Sequence, residues 1–169
     1  MKSINGFLSL IIFFSSCSIS NKTVYNERTK KDILIGKCTK QAFDIPIFKE
    51  WYQKEYEAYS LNEPIIKQLK NLPGINEIQI KIVFGTWCSD SRRELPRFYK
   101  IIEQTDYKIK KIKLIAVDTK KESGNEKLID FEFTRIPTFV FYKNGVETGR
   151  IIESPELSLE EDILNILKK

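Results

Sequence analysis

The chain has 169 residues, of which 41% are hydrophobic and 30% charged, with a net charge of +5. This is the balance of a soluble globular protein with room for one ordinary domain and an ordered extension. The absence of histidine excludes His-based acid–base catalysis, Ser-His and Cys-His nucleophilic pairs and the commonest metal ligand. The lysines are scattered and form no basic-aromatic module, so nucleic acid is not an indicated partner. Cys17, Cys38 and Cys88 are too few and too widely spaced for a zinc site, and no metal or other cofactor is indicated.

In chain order, Lys2 gives a short basic start, and Phe7 to Phe14 is an apolar stretch of signal-peptide length. It is too short to span a membrane, which takes about 20 apolar residues. Ser15 and Ser16 then lead into Cys17. This arrangement resembles a bacterial lipoprotein signal, although Phe14 stands where a Leu-like residue is usual. The resemblance implies a signal peptide over 1–16, lipidation of Cys17, and a lipid anchor in a membrane, by default the outer membrane of a two-membrane bacterium. The folded part would then face the periplasm, where disulfide chemistry is permitted. An ordinary secretory signal or a retained anchor are the alternatives. Residues 17–32 are polar, lack apolar periodicity and read as a tether.

Residues 33–74 read as a helical extension. Phe48, Tyr52, Tyr56 and Tyr59 fall at helical spacing beside Trp51, and Asn62 with Pro64 opens a second helix running toward Leu72. The aromatic stripe suits either a docking surface or, more simply, the packing of an accessory helix. Pro73-Gly74 marks a break.

Residues 75–169 form the main domain. Ile78 to Phe84 reads as a buried strand, Ser89 to Gln104 as a helix kinked by Pro96, and Ile112 to Val117 as another strand. Glu122 to Asp130 can hold only a short helix. Asn144-Gly145 between two β-rich runs signals a hairpin, and Ser158-Leu159-Glu160-Glu161 a capping box ahead of the last helix. The order is β-α-β-α-β-β-α after the extension.

Cys88 lies between the end of the first strand and the start of the first helix of this domain, where unpaired backbone N–H groups and the helix dipole favour a thiolate. With Trp87-Cys88-x-x-Ser91, Pro96 and Ile136-Pro137-Thr138 opening the hairpin, residues 75–169 resemble the thioredoxin superfamily, and Asp90 with Arg92, Arg93 and Glu94 after the cysteine makes them similar in particular to thioredoxin-like Cys-x-x-Ser lipoproteins of Bacteroidetes-type bacteria. The resemblance implies an α/β fold with a central mixed sheet flanked by helices. It also implies Cys88 as nucleophile, Trp87 as its flanking aromatic, Pro137 as a cis-proline, and Ile136 as the residue whose backbone meets an extended substrate. Ser91 occupies the place of the resolving cysteine, and Ile82 that of a buried acid that assists proton transfer in many relatives.

Three states of Cys88 stay open on the sequence. It could act as a monothiol, supported by Ser91 and by Arg92 or Arg93, on protein or small-molecule disulfides, with an external thiol completing turnover. It could pair with Cys38 as a resolving partner, if the two Cα atoms approach within about 7 Å. It could be a relic in a non-catalytic peptide-binding module for envelope assembly. Asp90, beside the sulfur, would oppose the thiolate, or with Ser89 simply cap the helix.

Overall fold

A computed structural model describes residues 21–169; Cys17 and the apolar stretch before it lie outside the described residues. The chain opens with a hairpin of β1 (Thr23–Asn26) and β2 (Lys31–Leu34), in the region read as tether and the start of a helix. β1 is only partly buried, so it carries no apolar period, and the hairpin is made by its turn. The Asn26 side chain accepts the Thr29 N–H at 3.0 Å, and Lys30 takes a left-handed φ of 54°. Ile33 and Leu34 are buried as extended chain, and β3 (Gly36–Cys38) follows, so the helical expectation fails over 33–38. A short run of β-branched and apolar residues does not distinguish strand from helix by periodicity.

The extension becomes helical only at α1 (Pro46–Ala58), with Pro46 in its first turn, and α2 (Glu63–Lys70). Asn62 precedes α2 without a side-chain capping bond; its backbone N–H donates instead to the buried Glu160 carboxylate at 3.2 Å. The aromatic stripe of α1 packs inward, as the simpler reading held. Phe48 and Tyr52 are buried, and Tyr52 stacks on Phe43 with ring centroids 4.5 Å apart.

The main sheet has the strand order β3-β5-β4-β6-β7, with β4 (Ile78–Phe84), β5 (Lys113–Ala116), β6 (Thr138–Lys143) and β7 (Val146–Ile152). β4 and β5 are parallel, with Ile82 opposite Leu114, and every other pairing is antiparallel. β3 belongs to the extension and forms an edge of this sheet, so packing is continuous across the expected boundary at 75. Asn144 and Gly145 make the hairpin turn with φ of 52° and 80°.

α3 (Ser89–Ile102) runs without interruption through Pro96, and α4 (Leu159–Leu167) closes the domain. Half of the box ahead of α4 forms: Ser158 Oγ accepts the Glu161 N–H at 3.2 Å, while the Glu161 carboxylate accepts from the Ser158 hydroxyl at 3.0 Å rather than from its backbone N–H. Between β5 and β6 the short helix shrinks to one 3-10 turn, Glu126–Leu128.

Strand alternation divides the core. Ile82 and Leu114 face the layer of helices with Phe98 and Tyr99, whereas Val83 and Ile115 face a smaller cluster with Ile136, Leu128, Phe131 and Phe133. The mixed sheet flanked by helices is the expected fold class. Helices cover one face, and part of the other is covered by the chain between β5 and β6.

Candidate active site at the end of the first long strand

The turn that carries Cys88 is fixed from several directions. Gly85 directly follows β4, and its N–H donates to the buried Ser91 hydroxyl at 3.2 Å. Its carbonyl accepts the Cys88 N–H at 3.0 Å, and the Cys88 carbonyl accepts the Arg92 N–H at 3.0 Å, the first bond of α3. Glycine is needed for space: a Cβ at position 85 would lie 2.6 Å from Trp87 Nε1 and 2.9 Å from Ile136 Cδ1. The Trp87 indole N–H donates to the Val117 carbonyl at 2.9 Å, pinning the ring over the end of β5. Thr86 is buried, and its hydroxyl accepts the Leu34 N–H at 3.2 Å, so the N-terminal segment braces the same turn.

Cys88 is the N-cap residue of α3, with an extended backbone and a half-buried side chain. Its thiol donates to the Ile136 carbonyl at 3.5 Å. The Ile136-Pro137 peptide is cis, as the resemblance implied. The loop is held by Thr138 Oγ1 donating to the Arg135 carbonyl at 2.6 Å and by the Glu153 N–H donating to the Pro137 carbonyl at 2.8 Å. Trp87, Cys88, Ile136 and Pro137 are therefore brought together.

Other expected roles change. Ser91 sits one helical turn beyond Cys88, but its oxygen accepts from Gly85 and makes no bond to the sulfur; it supports the turn rather than the thiol. Arg93, offered as a partner for the thiolate, bonds acids instead: its guanidinium lies 2.9 Å from Asp90 and 2.6 Å from Glu94, and donates to Ser154 at 2.8 Å. Asp90 is thus engaged by Arg93, and neither it nor Ser89 caps the helix, because Cys88 holds the capping position. The Arg92 guanidinium lies over the Trp51 ring, 5.2 Å from its centroid.

Cys38 does not join the site. Opposite Leu114 in the sheet, its side chain points into the helix-covered core, whereas Cys88 packs with the cluster on the other face. The two sulfurs are not bonded. Burial pushes the Cys38 thiol up to about 12, opposed only in part by a hydrogen bond from Ala116. This is a structural thiol, and the resolving role weighed for it fails on position.

The sequence offers Glu94 only as part of the charged run after Ser91, with no role of its own. It is 2% exposed, with one carboxylate oxygen bonded to Arg93 and the other without a hydrogen-bond partner among the described residues. Its signal was helical spacing: Asp90 and Arg93 at i, i+3, with Glu94 on the same inward side as Ser91.

Residues 75–168 match the thioredoxin family, and the chain belongs to it. Among curated relatives, it is 28% identical over 85 residues to mitochondrial thioredoxin O of Oryza sativa subsp. japonica, covering 50% of this chain and 47% of the other. It is 26% identical over 81 residues to the thioredoxin-like protein R548 of Acanthamoeba polyphaga mimivirus, covering 48% and 56%. The chain thus spans about half the length of the curated relatives it matches. Among solved structures, a Pseudomonas aeruginosa protein of unknown function aligns with a TM-score of 0.50 at 16% identity, over 71% of this chain and 81% of that one, a likeness of fold alone.

Proposed function

We propose that this protein performs thiol–disulfide exchange as a monothiol through Cys88. The observation that carries the reading is the Cys88 sulfur at the start of α3, facing the carbonyl of Ile136 in the cis-proline loop, with a serine where a second thiol would stand. In the first step the Cys88 thiolate attacks one sulfur of a substrate disulfide. That S–S bond breaks, a mixed disulfide forms, and the departing sulfur takes up a proton. Neither Ser91 nor Cys38 can release the product, so an external thiol attacks the mixed disulfide and returns Cys88 as thiolate. Protein or small-molecule disulfides fit this scheme. Trp87 and the backbone of Ile136, set by the cis-proline Pro137, would hold an extended substrate by strand-like pairing.

The same reading makes the protein a Cys-x-x-Ser lipoprotein, anchored through Cys17 and working outside the cytoplasm on the periplasmic side of the outer membrane. Its support is the sequence alone: the apolar stretch, Ser15-Ser16 and Cys17. Metabolic labelling of the full-length chain with a fatty acid, compared with Cys17→Ala, tests the anchor; label retained by the variant would remove it.

For the chemistry, the test is alkylation of the folded full-length chain at pH 7, resolved residue by residue by mass spectrometry. Cys88 should react faster than an unstructured cysteine peptide, and Cys88→Ser should form no mixed disulfide with an activated peptide. A thiol that reacts only after unfolding would favour the peptide-binding module instead.

A further inference from the structure

The charges around Cys88 are almost all spent on one another. Asp90 and Glu94 share Arg93, with Arg97 3.7 Å from Glu94, Glu153 bonds Arg135 at 3.0 Å, and Lys121 donates to the Thr134 carbonyl at the base of the cis-proline loop. Arg92 is different. It is exposed, makes no ion pair or side-chain hydrogen bond among the described residues, and lies against the half-buried Trp51 of α1.

That stacking restricts the guanidinium before any ligand arrives. An arginine in solution loses substantial rotamer freedom on binding; one already laid on an aromatic face has less to lose, and all five of its N–H donors remain available to a carboxylate. Trp51 comes from the extension, so the region outside the shared domain supplies the surface that holds this cation.

Resting on the monothiol reading, we infer that Arg92, held by Trp51, selects substrates with a carboxylate near the disulfide that Cys88 attacks. Arg92 lies one turn into α3, about 6 Å of helix rise from Cys88. An extended chain covers about 3.3 Å per residue, so the acid should stand two or three residues from the reacting cysteine. Arg93 cannot serve in this way, because its fork is already engaged by Asp90 and Glu94. The substrate class is therefore an acidic peptide segment beside a disulfide.

The experiment uses two peptides that differ only in having Glu or Gln two residues from a cysteine activated as its 2-thiopyridyl disulfide. Attack by Cys88 on the cysteine sulfur breaks the bond to the thiopyridyl sulfur and releases thiopyridone, whose absorbance reports the rate. The full-length chain at low salt should favour the Glu peptide by about threefold, as suits an exposed charge pair, and the preference should shrink as salt is added. Arg92→Gln should bring the ratio close to one, and Trp51→Leu should lower it with Arg92 still present. Equal rates in the wild type, or a preference that survives Arg92→Gln, would overturn the inference while the monothiol reading stands. Failure of both peptides to react at Cys88 would remove that reading, and the inference with it.

Discussion

Leu34 and Thr86 lie 52 residues apart, and a hydrogen bond of 3.2 Å joins the backbone N–H of the first to the hydroxyl of the second. It connects the end of the N-terminal hairpin to the residue two before the reactive cysteine, inside the protein where no water replaces a lost partner. Thr86→Val keeps the shape and removes the acceptor, leaving a buried N–H unpaired at a cost of about 1–3 kcal/mol. Urea denaturation should show the drop, and Thr86→Ser should recover most of it. Equal stability of the Val variant and the wild type would show that this bond contributes nothing.

Gly85→Ala should fail for lack of space. The new methyl would meet both Trp87 and Ile136 inside 3.0 Å, so the indole or the cis-proline loop must shift, at a cost of about 1–3 kcal/mol. Because both sides of the cysteine move, the alkylation rate of Cys88 should change together with the melting temperature. A stability loss with an unchanged rate would mean that the strain is absorbed elsewhere.

Arg93→Met should destabilise through its neighbour. Glu94 is almost wholly buried, and Arg93 is its short-range partner at 2.6 Å. A buried carboxylate that loses its close partner costs several kcal/mol, but Arg93 is itself about a third exposed and Arg97 remains 3.7 Å from the same oxygen, so about 1–2 kcal/mol is expected. The double variant Arg93→Met, Glu94→Gln should regain much of this loss in a denaturation cycle. No recovery would indicate that Arg93 acts mainly through Asp90 or Ser154.

Ser91→Cys should convert the site into a dithiol. Residues three apart on a helix have Cα atoms within disulfide range, and the new thiol would stand one turn from Cys88. Mild oxidation should yield a monomer lighter by two hydrogens, with Cys88 protected from alkylation. The Gly85 N–H would then face a weaker acceptor, so the reduced variant should be slightly less stable than the wild type. Persistence of a reactive Cys88 after oxidation would count against the geometry of the turn.

Alkaline stability should report Cys38. Its folded value is raised to about 12 from 9.0, so the folded state keeps its proton where the unfolded state has lost it. Stability from this group is complete below about pH 9 and declines by about 1.4 kcal/mol per pH unit as pH rises toward 12. Buried tyrosines, among them Tyr107, held up to about 12 by burial, add to the decline above pH 10. Denaturation across this range should therefore show a later onset for Cys38→Ala than for the wild type. An identical onset would mean that the buried thiol ionises as freely as an exposed one.

The main domain was legible because its signals are local. The alternating start at Ile78 and Ile80 with the unbroken apolar run Ile82–Phe84, the Asn144-Gly145 pair, and Ser158 with Glu161 each specify an element from a few adjacent residues. Trp87-Cys88 and Ile136-Pro137 could be matched to a known pattern. What stayed hidden depends on distant partners. β1 and β2 have no apolar alternation and are held by the Asn26 turn and by each other; β3 is three residues long and exists because β5 offers an edge. The partners of Ser91 and Arg93 are hidden for the same reason. A hydroxyl beside a thiol in sequence was in fact turned toward Gly85, and an arginine near a sulfur was claimed by two carboxylates. The burial of Glu94 is hidden too, because a charge within a run of charges gives no sign that its side chain turns inward.

The three residues of β3 also govern how the sheet meets other chains. By pairing with β5 they cover the open side of a longer strand and present in its place a border too short, and too interrupted by Gly36 at φ 81°, to template a neighbour. Among the described residues, the other border of the five-stranded sheet is β7. Among the described residues, β7 is thereby left as the longer border at which a further strand could be added.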